Sequence, residues 1–270
     1  MRQTAPRAIA VQHREERMPN QRSSVAPLRV AAAGIRWLLP VRFTGYFAEI
    51  RQRTHETVVF DRLMTSSPIR FPERLRDALR DGRLVVFAGA GVSMGKPASL
   101  PDFSTLADSI AADTGVDRRN QESDDAFLGR LHHQGVQVHE IAARQLQTNR
   151  CGETPAPTDL HRDLLRLYPN SGAVRIVTTN FDRLFDTAAQ AVFPGTPELF
   201  RAPALPLGRS FNGIVHVHGR LDRPHELVLT DADFGRAYLI DGWARRFLVE
   251  LFRSFTVMFV GYSHDDTVMR

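Results

Sequence analysis

Leu84-Val85-Val86-Phe87-Ala88-Gly89-Ala90-Gly91-Val92-Ser93 is the stretch on which the reading of the fold turns. Residues 84–87 form a continuous apolar run, which fits a strand buried on both faces of a parallel sheet better than a half-exposed one. The run ends in Gly89-Ala90-Gly91. Glycines at that point let backbone approach a ligand phosphate closely, with free N–H groups able to point at it. The simpler alternative is a plain tight turn. Neither standard phosphate motif is met. A dinucleotide fingerprint wants a glycine where Met94 stands, with Gly95 one place late. A triphosphate loop has its Gly-Lys at Gly95-Lys96, but Ala90 replaces the first glycine and Pro97 the final Ser/Thr.

The pattern outward from this stretch is regular. Residues 72–81 read as a helix, with Pro72 at its start, Leu75 and Leu79 on one face and Gly82 as its stop. Residues 104–113, 124–131, 136–148 and 159–167 read as helices, with a loop at Pro155 and Pro157. A second buried strand is expected over 174–178, then a helix over 181–190. Residues 194–210 carry Pro194, Pro197, Pro203 and Pro206 and read as a long loop. Strands follow over 214–217 and, briefly, 227–229, then mostly helix over 233–253 and a last strand over 255–260. This alternation predicts an α/β fold, a Rossmann-like parallel sheet with helices on both faces and a helical insertion at about 104–170.

In such sheets ligands bind at the carboxyl ends of the strands. Four features fall there: residues 89–93, residues 179–182, His218-Gly219, and Gly261-Tyr262-Ser263. Each has a structural alternative. Thr179 or Asn180 would cap the following helix, with Asp182 in its first turn. Asp102 or Ser104 would cap the helix that follows Pro101-Asp102-Phe103. His216 and His218 are expected on one side of a strand and could bind a metal. No further ligand set is evident, so His216 is read as a satisfied core histidine and no metal is assigned. Gly261-Tyr262-Ser263 is otherwise an ordinary strand-to-helix turn.

Composition narrows the function classes. Of 270 residues, one is cysteine, Cys151, which excludes an intrachain disulfide framework and a four-cysteine zinc site. The formal charge of +5 at first suggests nucleic acid. However, residues 1–63 hold 11 arginines against 5 acidic residues, while residues 64–270 hold 24 basic against 25 acidic ones. The basic character belongs to the Arg-rich N-terminal extension, 1–63, expected to be poorly ordered. The domain over 64–270 is near neutral, which removes most of the support for nucleic-acid binding. Arg29, Arg36 and Arg42 interrupt the only apolar stretch of the extension, so no membrane span is read there. Residues 1–27 lack the pattern of a secretory signal.

Taken in order, Gly89-Ala90-Gly91, Pro101-Asp102-Phe103, Thr178-Thr179-Asn180-Phe181-Asp182, His218-Gly219 and Gly261-Tyr262-Ser263 resemble the sirtuin family over about residues 70–265. The resemblance implies a Rossmann-like NAD-binding domain with Asn180 and His218 as the catalytic pair. Sirtuin deacylases carry a zinc ribbon of four cysteines between the His-Gly and the Gly-x-Ser, yet residues 220–260 contain no cysteine. Ser104 also stands where the family usually has Arg. These departures are similar to the zinc-free branch found in bacterial antiphage proteins, which hydrolyses NAD⁺ and sits in longer chains with sensor regions.

The resemblance therefore implies an NAD⁺ glycohydrolase, with NAD⁺ as substrate, no metal, and a role in antiviral defence. Gly89, Ala90, Gly91 and Ser93 would hold the diphosphate. Asp102 and Asp182 would contact the carboxamide or ribose, Phe103 and Thr179 would also belong to the NAD-binding set, and Gly261 and Ser263 would hold the adenosine end. The alternatives are a non-catalytic NAD or ADP-ribose sensor and a protein ADP-ribosyltransferase. Expected partners are NAD⁺, a second copy of the chain, and a phage-derived or partner-protein trigger. Neither nucleic acid nor membrane is expected for the core domain, and the expected location is cytoplasmic.

Overall fold

The computed structural model describes residues 72–262, together with the backbone of two strands nearer the start, β1 (Pro27–Ala32) and β2 (Ile35–Pro40). Five parallel strands form the centre: β3 (Leu84–Ala88), β4 (Arg175–Thr178), β5 (Leu199–Arg201), β6 (Gly213–His216) and β7 (Thr256–Val260). Their spatial order is β7-β3-β4-β6-β5, and β1 adds antiparallel to β7, with Leu28 opposite Val260. The α/β Rossmann-like class expected from the apolar runs is the one observed.

All of β3 is buried, and its side chains divide between two cores. Leu84, Val86 and Ala88 face one layer with Leu75, Leu164 and Phe185. Val85 and Phe87 face the other with Phe247 and Leu251. This is the period-2 alternation of a strand covered on both sides. The first layer is built by α1 (Glu73–Arg80), α5 (Asp159–Leu165) and α6 (Leu184–Val192). The second is built by α8 (Trp243–Ser254), whose Ala244, Phe247, Leu248 and Leu251 recur at the i, i+3, i+4, i+7 spacing of one helix face.

A third core belongs to α2 (Phe103–Thr114), α3 (Asp124–His133) and α4 (Val138–Gln145). Phe181 and Leu184, just past β4, plug into it, as do Leu227 and Leu229. The helical insertion is thereby seated beside the carboxyl edge of the sheet.

Three expectations need correction. The stretch 194–210 is not all loop, because Leu199–Arg201 pairs with β6 as a short edge strand. Pro197 and Pro203 bracket it, and proline is tolerated at an edge. Residues 227–229 are not a strand. They run as buried extended chain between a 3₁₀ turn (Pro224–Glu226) and α7 (Asp231–Phe234), and their side chains fill two cores rather than a ladder. The helix after β4 begins at Leu184, not 181, so neither Thr179 nor Asn180 caps it. From Gly219 to β7 the chain is mostly helical, and α7 continues into a π-helical segment (Gly235–Ile240). No described helix is long and apolar enough to cross a membrane.

Candidate functional site

The glycine loop is held against the last strand's turn. Gly91 N–H donates to the Gly261 carbonyl at 2.8 Å, and Gly89 N–H to Val260 at 2.9 Å. A Cβ on Gly91 would lie 2.8 Å from Gly261 Cα, and one on Gly261 would lie 2.6 Å from Val92 N, so the two backbones touch where side chains would stand. Gly261 also has φ +63, a conformation that glycine adopts without strain. Val92 and Ser93 N–H donate to Gly89 and Ala90 carbonyls. The expected free N–H groups are thus largely engaged within the protein, because the loop closes on itself and on Gly261. Tyr262 lies in the core, its ring edge-on to Phe87 at 5.7 Å. Ser263 lies outside the described residues.

Beside this contact is a buried polar cluster. Asn180 Nδ2 donates to Ser93 Oγ at 3.2 Å, and the Ser93 hydroxyl donates to Asp182 Oδ2 at 2.8 Å. Asp182 Oδ1 accepts from Leu184 N–H at 2.9 Å, so Asp182 tethers the first turn of α6. A fourth member comes from the insertion. His161 Nε2 lies 3.3 Å from Ser93 Oγ, while its Nδ1 accepts the Thr158 N–H at 3.2 Å. With Nδ1 an acceptor, the ring proton sits on Nε2 and is donated to Ser93. Burial pushes the His161 imidazole down to about 4, more than the nearby Asp182 carboxylate raises it, so the ring is neutral at pH 7.

Asn180 is fixed along its backbone as well. Its N–H donates to Thr178 Oγ1 at 3.0 Å, and that hydroxyl donates to the Ala88 carbonyl at 3.0 Å. Its carbonyl lies 3.3 Å from His216 Nδ1, and His216 Nε2 lies 3.1 Å from Asp186 Oδ1. Asp186 in turn accepts from Arg220 at 2.6 Å. His216 is therefore a core histidine with partners on both nitrogens, as expected.

His218 points elsewhere. The strand ends at His216, and the turn that follows separates the two histidines. His218 Nε2 lies 2.7 Å from the Tyr238 hydroxyl, on the π-helical segment, and its ring meets Phe234 edge-on at 5.4 Å. Phe103 also meets Phe234 edge-on, with ring centroids 6.4 Å apart. Asn180 and His218 follow β4 and β6, which pair in parallel with Thr178 opposite His216, so they occupy adjacent strand ends. π-turns occur often at functional sites because they re-aim side chains within a helix. Asp102 caps α2, its Oδ1 accepting from Thr105 N–H at 2.8 Å. Thr179 N–H extends the β3–β4 ladder to Ala88 at 3.2 Å.

The structure thus brings Ser93, Asn180 and Asp182 into one cluster, Gly89 and Gly91 against Gly261, and Phe103 toward His218. His161, Tyr238 and Phe234 were not expected from the sequence. A Thr158-x-x-His161 capping box was the available sign of His161. Among the described residues no group of three or more His, Cys, Asp or Glu is placed to hold a metal ion.

Comparison with known proteins points the same way. Residues 174–270 match a family model described as a SIR2-like domain. Asn180, Asp182, His218 and Gly261 lie in that stretch, while the glycine loop precedes it. The chain is also 38% identical over 226 residues to an uncharacterized protein, y4cA, of Sinorhizobium fredii; the alignment takes in 74% of this chain and 18% of that protein. The chain therefore spans less than a fifth of the length of the curated relative it matches. The family match supports a sirtuin-like domain with an NAD-related function.

Proposed function

We propose that this chain hydrolyses NAD⁺ to nicotinamide and ADP-ribose. The observation that carries the reading is Asn180, held at its N–H, its carbonyl and its amide nitrogen at the end of β4, next to the glycine loop and to the strand end that bears His218. Such fixation pre-organises a side chain for a reacting group.

In this reading the ribose–nicotinamide bond of NAD⁺ breaks through an oxocarbenium-like state. The nicotinamide ring is cationic before cleavage and leaves neutral, so it needs no acid. Asn180 positions the ribose and the attacking water. Water attacks the anomeric carbon, and His218 takes its proton, a role suited to an imidazole near neutral pH. Tyr238 orients the His218 ring, and Phe103 and Phe234 shield it from bulk water. The glycines of the loop let the diphosphate come close to the backbone. Asp102, Thr179 and Asp182 lie on the nicotinamide–ribose side, and Ser93 serves chiefly to hold Asn180 and Asp182. Gly261 bounds the adenosine end, to which the motif resemblance also assigns Ser263. The antiphage setting and a trigger supplied by a longer chain or a partner follow from the motif resemblance and belong to the same proposal.

The test is to incubate the purified chain with NAD⁺ and resolve the products chromatographically. Nicotinamide and ADP-ribose in equal amounts are expected, with turnover abolished in the Asn180→Ala/His218→Ala double variant. Turnover that survives that double change would refute the assignment. Calorimetric binding without product would favour a sensor, and label from NAD⁺ retained on protein would favour ADP-ribosyl transfer.

A further inference from the structure

The sheet has a second open feature, at the edge opposite the Asn180 cluster. A cavity of about 550 Å³ lies at the amino ends of the strands, where the chain enters β3, β4, β6 and β7. That volume is in the range of small-molecule sites, roughly 300–1,000 Å³. Arg83, Arg175 and Arg209 line it, against one carboxylate, Glu198. The chain end of α8 at Ser254 adds the partial negative charge of a helix C-terminus, which three guanidiniums outweigh.

The three arginines are differently constrained. Arg175 is preset: its Nε donates to the Phe211 carbonyl at 3.1 Å and its guanidinium lies 5.6 Å above the Phe255 ring. Arg83 is 62% exposed and pairs with the exposed Asp81 at 3.0 Å, a weak contact that an incoming anion can replace. Arg209 is exposed at the rim. Ser210 and Asn212 supply hydroxyl and amide groups, while Phe200 and Phe255 add aromatic side chains to the lining, Phe255 with the Arg175 guanidinium over its ring. A guanidinium fork suits phosphate oxygens, and aromatic faces suit a planar ring.

We propose that this cavity is a second ligand site for a small phosphorylated molecule bearing a flat ring, the nucleotide class. Phosphate sits among Arg83, Arg175 and Arg209, and the ring lies along Phe200 and Phe255. The proposal is independent of the chemistry assigned to Asn180 and His218.

Titration calorimetry of the full chain at low salt with adenosine monophosphate, inorganic pyrophosphate and adenosine tests it. The monophosphate should bind, pyrophosphate more weakly, and any adenosine binding should be the same in the wild type and the Arg83→Glu/Arg209→Glu variant. The Arg83→Glu/Arg209→Glu variant should weaken monophosphate binding by at least about tenfold, the scale of a lost charge-assisted hydrogen bond. Should that variant unfold, Arg209→Glu alone, at an exposed rim position, decides through the same loss. No heat with either phosphate at millimolar concentration overturns the proposal. So does unchanged affinity in the reversed variant.

Discussion

At the carboxyl edge of the sheet, Ser93, Asn180, Asp182 and His161 meet in a buried hydrogen-bonded cluster centred on the Ser93 hydroxyl; at the amino edge of the same strands, Arg83 and Arg209 stand in solvent around an open cavity. The difference lies in how the connections are made. Carboxyl-edge loops pack backbone on backbone, Gly91 on Gly261, and the insertion adds hydrogen bonds from His161 to Ser93 and from Thr158 to the Val92 carbonyl, which fixes the side chains there. Amino-edge connections leave the Arg83 and Arg209 side chains exposed. The first arrangement suits chemistry that needs atoms fixed to within a fraction of an ångström; the second suits reversible capture of an anion.

Substitutions at the two edges should therefore differ in kind. Asn180→Ala should produce the largest effect, lowering NAD⁺ turnover by about 10²–10⁴-fold while the thermal midpoint moves little. A turnover loss below about fivefold would remove Asn180 from the reaction. Gly261→Ala should come next, through stability rather than chemistry. A side chain at φ +63 with its Cβ 2.6 Å from Val92 N requires the loop contact to open. We expect about 3 kcal/mol of destabilisation, read as a midpoint drop of roughly 6–12 °C. A midpoint within two degrees of wild type would mean that the two loops are not tightly joined.

His161 offers a pH test of the buried edge. Its folded value, about 4, lies below the unfolded value near 6.5. As pH falls through that window, the unfolded chain takes up a proton that the folded chain refuses. Stability is therefore complete above about pH 6.5 and declines toward pH 4, by up to about 3 kcal/mol. His161→Gln retains a donor for Ser93 and removes the titration, so denaturant melts across this range should flatten. His161→Leu should flatten them too, but at about 1–3 kcal/mol lower stability, because Ser93 and Thr158 lose a partner. A pH profile unchanged in both variants would contradict the neutral, buried assignment. The smallest effect is expected at the amino edge: Arg209→Ala should alter stability by less than about 0.5 kcal/mol in the same melts.

Much of the site was legible before the structure. Ser93, Asn180 and Asp182 stand at strand ends identified by apolar runs, and strand ends in a parallel sheet converge whatever the sequence distance between them. What stayed hidden depends on contacts without local periodicity. Ser93 and His161 are 68 residues apart, and nothing in the spacing of the insertion helices announces that one of them delivers a ring to the glycine loop. Tyr238 was hidden for a different reason. The sequence of residues 233–253 reads as helix, but a π-helical segment changes which side chains share a face, and so which one meets His218. The misplaced start of α6 has a third cause: Thr178 and Asp182 side-chain oxygens accept the Asn180 and Leu184 N–H groups, and Phe181 is seated in the insertion core, so the helix starts at Leu184.

By itself, the sequence determined that residues 84–87 would form a strand buried on both faces of a parallel sheet and that a last strand would run over 255–260, because continuous apolar runs are buried at lower cost than they are exposed. It also placed glycines where two loops could meet. The tertiary structure alone decided that those glycines meet each other, closing the loop and engaging its N–H groups, and that Asn180 is held from three directions. Those outcomes depend on which strand ends lie side by side, and that is set by packing three cores at once rather than by any one segment.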